Sequence, residues 1–454
     1  MFLEEKLLNI LSAINDVVWG PPMLILLVGT HVFLTFKLLG IQRYTFKGIK
    51  LSLAKSYEGE GDVSHFGALT TALAATVGTG NIVGVATAVG LGGPGAVFWL
   101  WITGVFGIAT KYAETLLAVK YRTKNELGQM AGGPMYVMER GMGMRWLGII
   151  FAFFTSIAGF GIGVTAQSNS ISDLMESTFN IPTWVTGLIV ALSVGIVIIG
   201  GIKSIAKVCE KLVPFMAIVY ILGCLIILGM NFSALPGAIA LIINSAFNGQ
   251  AMVGGFAGAT VMHAIRYGVA RGLFSNESGL GSAPIAAAAA QAPNAAHQAL
   301  VQMTGTFWDT VVICLLTGLM LVSTGSWQTG LKGAELTKAA FEQIPIVGPI
   351  TLTLGLLTFV YSTILGWSYY CEKAVEYLLG TPAIVPYRWL WTIAAFVGAV
   401  AKLDVVWAFA DMFNGLMAIP NLISLIALSG VLVAETKKYV WQDNIMANDL
   451  NEKN

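Results

Sequence analysis

Charge is what this sequence has least of. Of its 454 residues, 11% are Asp, Glu, Lys or Arg and 56% are hydrophobic, whereas a soluble domain carries about 25% charged residues. So few charges cannot solvate the surface of a 48.2 kDa body whose mean hydropathy is +0.76. The two signs also balance. With 25 basic and 24 acidic residues, the formal net charge of +1 excludes a basic nucleic-acid binder and an acidic tail protein. Cysteine is scarce: Cys209, Cys224, Cys314 and Cys371 lie in or beside apolar runs without paired spacing. That excludes a disulfide frame and a zinc site, and leaves four small buried hydrophobes. No GxxxxGK[ST], HExxH, CxxC or GxSxG pattern occurs, so neither an ATP-driven pump nor an intramembrane enzyme has visible chemistry.

Long apolar runs are what the sequence has instead. A bilayer core of ~30 Å needs about 20 mostly apolar residues per helical span. A transmembrane barrel would show alternating segments of about 10 residues, and these runs are continuous and longer. Eleven spans are predicted, at roughly 19–40, 67–92, 95–119, 146–172, 183–202, 206–230, 254–290, 298–323, 348–378, 386–407 and 410–434. Residues 1–18 read as an amphipathic helix ahead of the first span. They are not a signal peptide, because no positive segment leads into an apolar core and a cleavage site. Residues 234–248 look like an interfacial helix on the outer face. The longest connections, near 41–66, 120–145 and 231–253, are too short for a separate soluble domain.

Basic residues in the loops give the orientation. Lys37, Arg43, Lys47, Lys50 and Lys55 follow span one, and Lys120, Arg122, Lys124, Arg140 and Arg145 follow span three. Lys203, Lys207 and Lys211 lie between spans five and six, Lys373 and Arg388 between nine and ten, and Lys437, Lys438 and Lys453 in the tail. Eighteen basic residues thus share one side, against Lys6, Lys332, Lys338 and Lys402 on the other. The bias predicts an outside N-terminus and a cytoplasmic C-terminus for a multi-pass protein of the cell membrane.

Two spans carry interruptions in matching places. Inside lipid, a broken helix survives only where it lines a cavity or is buried in protein. Span two contains Ala75-Thr76-Val77-Gly78-Thr79-Gly80-Asn81-Ile82-Val83-Gly84 near its middle, where the glycines weaken the helix. Span seven contains Arg271-Gly272-Leu273-Phe274-Ser275-Asn276-Glu277-Ser278-Gly279-Leu280-Gly281-Ser282-Ala283-Pro284, the stretch least compatible with lipid in any span. Each break opens a block of five spans. Odd parity inverts the second block in the membrane, and broken first helices in two inverted halves point to a secondary transporter with its site at the midplane. Free N–H groups there suit a carboxylate, and free C=O groups suit a cation. The plainer reading, that these glycines only permit close helix packing, loses ground to the matched second break. Gly78-x-Gly80 is no dinucleotide fingerprint, because no strand precedes it.

The Arg271–Pro284 motif closely resembles the signature of the alanine/glycine:cation symporter family, and Val77–Gly84 looks like that family's first broken helix. The similarity runs along the whole chain. It implies an all-α membrane protein of the leucine-transporter-like fold, with one N-terminal helix before an inverted 5+5 repeat. The organisation expected is a single transmembrane domain, with the extra helix in 1–45, repeats over 65–230 and 250–436, and a cytoplasmic tail over 437–454. The resemblance also implies a symporter, not an enzyme, that carries alanine or glycine inward with Na⁺ or, in some members, H⁺. It places Thr79, Gly80 and Asn81 around the substrate carboxylate, and Phe274, Ser275 and Asn276 against the substrate. Gln167 on span four is the candidate for the ammonium group; its alternative is a polar residue at a helix end. The Na⁺ site implied joins carbonyls of Ala74, Val77 and Phe359 to the hydroxyls of Ser362 and Thr363, hard oxygens that suit an alkali cation. On general grounds such hydroxyls bond the carbonyl four residues back.

Other in-span charges keep two readings. Asp309 ligates a cation or carries a proton, or else pairs with Arg266 or Arg271. Lys111 and Glu114, three apart, read as a structural pair, and Glu277 as a cap or brace of the broken helix. The four His residues show no ligand spacing. Small residues line the breaks, with Phe274 and Trp367 or Trp308 available as walls, so a small neutral amino acid fits better than a charged or large one. Na⁺, the amino acid and the lipid bilayer are the partners expected, with no nucleic acid and no obligate protein. The competing functions are an H⁺-coupled carrier of the same fold with Asp309 or Glu277 titrating, a ligand-gated channel, and a receptor that binds without flux.

Overall fold

The computed structural model describes residues 2–54, 59–248, 261–331, 333–401 and 404–447. The opening of the expected seventh span, 254–260, and the end of the tail, 448–454, lie outside the described residues. The architecture is helical, and the strands among the described residues are a two-residue hairpin pairing Thr123–Lys124 with Met130–Ala131. Each predicted span has a helix at its place. Eight helices are long and apolar enough to cross a membrane, and His65–Thr76 with Gly80–Gly92 forms a ninth, bent by 49°. Two spans fall short of that criterion for physical reasons. Span five, Thr183–Ile199, has only 17 residues. Span seven stops at Asn276 and resumes only at Ala283–Ala287.

The sequence explains where the elements begin and turn. Ser64 caps span two by accepting the Gly67 N–H at 2.9 Å, and Asn294 caps span eight by accepting from His297 N. Phe2–Val18 forms the amphipathic helix and packs on span eleven, and Leu235–Asn248 is helical where the interfacial helix was expected. All four cysteines are free and buried. Ile189, Leu192 and Ile196 of span five are more than half exposed, as are Ile218 and Leu222 of span six, a surface only lipid can cover.

Span three, Gly95–Lys120, runs through the centre against spans seven and eight. Its glycines allow that approach: a Cβ on Gly107 would sit 3.0 Å from Ser278 Oγ, and one on Gly104 would sit 2.8 Å from Thr310 Cβ. The interior it occupies is polar for a membrane protein, with Lys111, Glu114, Glu277 and Asp309 all buried. Wide π-helical turns interrupt spans two, four and eight at Gly80–Gly84, Gly159–Thr165 and Phe307–Cys314, and those of spans two and eight meet. Such turns release backbone groups from the regular ladder, and they gather at functional sites.

Candidate functional site

The break in span two is held open by one side chain. In an unbroken helix the Gly78 N–H would bond Ala74 O and the Asn81 N–H would bond Val77 O. Here Gly78 N–H donates to Asn81 Oδ1 at 2.9 Å, and Asn81 N–H turns to Gly78 O at 3.3 Å. Ala74 O and Val77 O therefore lose their helical donors. The second half of the span then starts near Thr79 with its own N–H groups.

The break in span seven is braced by opposite charges at its two ends. Glu277 takes a left-handed conformation with φ +54°, and Gly279 and Gly281 follow at +94° and +83°. Lys111 Nζ donates to the Glu277 carbonyl at 3.1 Å, at the carbonyl end of the first half-helix. Glu114 Oε1 accepts from Gly279 N at 2.9 Å and Gly281 N at 3.1 Å, at the N–H side of the break. Asn421 of span eleven joins them, donating to Glu114 Oε1 at 2.6 Å and to Gly279 O at 2.9 Å. A cation by exposed carbonyls and an anion by exposed N–H groups is the favourable arrangement. The Lys111–Glu114 pair is 3.7 Å apart and fully buried. It is the structural pair expected, with the break as its load.

Asp309 links the two breaks. Its carboxylate accepts from Asn81 Nδ2 at 2.6 Å, from Thr310 Oγ1 at 2.6 Å, and from Ser275 Oγ at 3.0 and 3.2 Å. All of its side-chain donors are neutral. Arg266 instead pairs with Asp16 at 3.1 Å, and the Arg271 guanidinium lies 5.9 Å from the Phe274 ring, so neither arginine meets Asp309. Where the breaks touch, a Cβ on Gly80 would stand 3.2 Å from Ser275 Cα.

Between the breaks lies a cavity lined by Thr79, Gly80, Gln167, Phe274, Glu277, Thr363, Trp367 and Asn414 among others. Of the residues expected at the substrate, Thr79, Gly80, Gln167 and Phe274 line this cavity. Asn81 and Ser275 direct their side chains to Asp309 instead. Asn276 lines a neighbouring small cavity and accepts the Ser278 N–H. Trp367 forms a wall and Trp308 does not. Thr79, Ile162, Gln167 and Phe274 also border a larger vestibule, whose far walls include Arg271 and Asp411.

Of the residues expected at the cation site, Thr363 reaches the break of span two, while Ser362 Oγ also lies 3.5 Å from Met216 Sδ of span six. Ser362 Oγ and Thr363 Oγ1 each donate to Phe359 O at 2.9 Å, the local bond common for hydroxyls in spans. A Cβ on Gly78 would lie 2.5 Å from Thr363 Oγ1, so span nine meets span two at its break, beside the carbonyls that lost their donors.

The opposite end is sealed. Val63 and Ala290 form an isolated parallel bridge, with Gln291 N–H donating to Val63 O and Asp62 N–H to Ala289 O, both at 2.8 Å. Arg122 ties the same segments, reaching Ala288 O, Ala290 O and Glu60 O at 2.9, 2.7 and 2.6 Å.

The profile of the sodium:alanine symporter family matches residues 4–453. The chain belongs to that family. It is 53% identical over 449 residues to an uncharacterized transporter of Haemophilus influenzae, covering 98% of each chain. It is 52% identical over 442 residues to the sodium/alanine symporter AgcS of Methanococcus maripaludis, covering 95% of this chain and 97% of that one. Among solved structures, MhsT in complex with L-phenylalanine superposes with a TM-score of 0.56 at 13% identity, covering 83% of this chain and 98% of that one. That likeness shows the leucine-transporter-like fold. A sodium-coupled amino-acid symporter of the membrane, not an enzyme, is therefore what the chain is, as the resemblance of its motifs implied.

For a sodium:alanine symporter, reading the sequence missed two features of the cavity. Glu277 lines the cavity, whereas the motif suggested a brace of the broken helix or a group that titrates in a proton-coupled carrier. Asn414 was not singled out, because one Asn in an apolar span gives no periodic signal and only the packing of span eleven brings it there.

Proposed function

We propose that the cavity between the breaks binds a small neutral amino acid and that a Na⁺ ion binds beside it, the two crossing together. The observation that carries this reading is the diverted hydrogen bonding at Gly78 and Asn81. It leaves the Ala74 and Val77 carbonyls for a cation, next to Phe359 O, Ser362 and Thr363, and presents the N–H groups from Thr79 onward to a carboxylate. Gln167, Phe274 and Trp367 bound the space for a small side chain. The bilayer repeats are assigned to 65–230 and 250–436, each opening with a broken span.

With the amino terminus outside, the vestibule opens outward and the Val63–Ala290 seal faces the cytoplasm. Na⁺ drawing Val77 and Thr363 together would hold this state. Substrate filling the cavity would draw the Phe274 and Gln167 walls inward, and rupture of the seal would release both into the cell.

The test is uptake of labelled L-alanine into proteoliposomes under an imposed Na⁺ gradient or an imposed proton gradient. Concentrative uptake driven by Na⁺, with a Na⁺ half-saturation that Thr363→Val raises, supports the reading. Uptake under Na⁺ that Thr363→Val leaves unchanged refutes the cation site. A second reading, coupling to protons, rests on Asp309, a buried carboxylate contacted by both breaks and held by neutral donors. Uptake driven by the proton gradient alone and abolished in Asp309→Asn would favour it.

A further inference from the structure

Back to back with the vestibule, across span four, lies a second cavity of opposite character. Ser170 of span four borders the vestibule, while Ile171 and Met175 of the same helix border this cavity. Val190 of span five, Leu212 of span six, and Leu357 and Tyr361 of span nine form its other walls. Two wall hydroxyls are turned back on their own helices: Ser193 Oγ donates to Val190 O at 3.0 Å, and Thr358 Oγ1 to Leu354 O at 2.6 Å. Thr186 differs. It lines the cavity at 5% exposure, and its Oγ1 is buried without a hydrogen-bond partner. It stands in the first turn of span five, after Pro182, where the helix enters the membrane, and Ser193 lies about 10 Å deeper along the same helix. The side of the cavity is open. Ile189, also on its wall, is 61% exposed, in one row with Leu192 and Ile196 on the face that only lipid can cover.

We infer that this cavity is a binding site for one acyl chain of a bilayer phospholipid, from the leaflet on the vestibule side, with the chain's ester group at Thr186. The surroundings decide the occupant, because bilayer hydrocarbon is the medium at the open side. One leaflet contributes about 15 Å of hydrocarbon. The cavity starts at its surface and follows span five inward for most of that depth, which is the path of a chain in that leaflet. A hydroxyl donor at the surface end with hydrocarbon walls below matches a glycerophospholipid, whose ester carbonyl accepts a hydrogen bond at the top of each chain. Leaving the bilayer for the cavity gains the chain little hydrophobic free energy, since lipid tails are as apolar as these walls. Retention rests instead on close packing against four helices and on meeting a buried hydroxyl that is otherwise unmet. Tyr361 adjoins Ser362 and Thr363 on span nine, so the chain backs the segment that faces the break of span two. An occupied cavity thereby holds that segment in place. This link to transport, unlike the chain site, rests on the reading that Ser362 and Thr363 hold Na⁺.

The test uses the full-length protein in vesicles of dioleoylphosphatidylcholine, with a trace of the same lipid carrying a diazirine midway along one chain. After irradiation, adducts are mapped by peptide mass spectrometry. They are expected to concentrate on Val190, Leu212 and Leu357, several-fold above Ile196 and Leu222 on the open lipid face. Val190→Trp, which fills the cavity, should remove the adducts at Leu212 and Leu357 and spare those on the open face. Thr186→Val keeps the shape and removes the donor. It should lower labelling of the cavity about threefold, the share of a single neutral hydrogen bond. Adducts spread evenly over both surfaces overturn the inference, and so do cavity adducts that persist in Val190→Trp. If Val190→Trp yields no folded protein, Leu357→Phe is the milder filling and is read the same way. Labelling unchanged in Thr186→Val overturns the anchoring of the chain at that hydroxyl. Alanine uptake tests the link to the cation. Replacing the lipid by diphytanoylphosphatidylcholine, whose methyl branches widen the chain, should raise the Na⁺ half-saturation of the wild type but not of Val190→Trp, where the indole takes the chain's place. Specific labelling with an unchanged Na⁺ value refutes only that link.

Discussion

Asn81 uses both ends of its amide. Oδ1 takes the Gly78 N–H and Nδ2 donates to Asp309, so one side chain opens span two and fastens the opening to span eight. Asn81→Ala leaves two buried groups unmet, a cost of about 1–3 kcal/mol each. A lower unfolding temperature of the purified protein and a weaker Na⁺ dependence of uptake are both expected. At the cation site, Thr363→Val removes one oxygen while keeping the shape. Losing a hydrogen-bond-like contact to a charge, about 1.5–3 kcal/mol, should raise the Na⁺ half-saturation roughly tenfold or more, with alanine affinity at saturating Na⁺ preserved. Residue roles were only partly legible beforehand. Gly80, Thr79 and Phe274 sit in motifs whose chemistry is local, and they line the cavity. The side chains of Asn81 and Ser275 meet Asp309, and that meeting is set by packing between spans 228 and 34 residues apart in sequence.

At the scale of elements, the break in span seven is a helix interrupted and then compensated. Lys111 and Glu114 lie one turn apart on span three, so a single rigid helix presents a cation to the freed carbonyl and an anion to the freed N–H groups. Removing one partner of a buried pair costs about 3–5 kcal/mol. Glu114→Ala is therefore expected to lower the yield of folded protein and its unfolding temperature sharply, and wild-type melting would refute the brace. Gly281 is constrained twice: its φ is +83°, and a Cβ would lie 2.7 Å from Pro134 Cγ. Gly281→Ala should cost about 1–3 kcal/mol, read in the same melting assay. The sequence announced both interruptions through glycine and polar residues out of place in lipid. It also showed the three-residue spacing of the charged pair. It could not show that the pair serves span seven, since nothing local to span three points there.

For the whole molecule, nine of the eleven expected spans were legible as membrane-length helices because apolar length is a one-dimensional property. Span five at 17 residues and the interrupted span seven were the least regular, for want of length and of apolar content. The closed end was not legible, being built from main-chain groups of residues 60–63 and 288–291 and a single guanidinium. Arg122→Ala removes three hydrogen bonds from it. The variant is expected to shift the population toward the inward-open state, so that a cysteine placed at Ala288 reacts faster with a membrane-impermeant thiol reagent added from the cytoplasmic side. Equal reactivity would refute the clamp. The native cysteines are all buried and give little background for such labelling. The clamp has a thermal consequence. On the proposed cycle each crossing breaks the Asp62, Gln291 and Arg122 bonds. The barrier is accordingly rich in enthalpy, and turnover should fall steeply on cooling while equilibrium binding of alanine changes little. A chilled membrane would hold this carrier loaded and waiting.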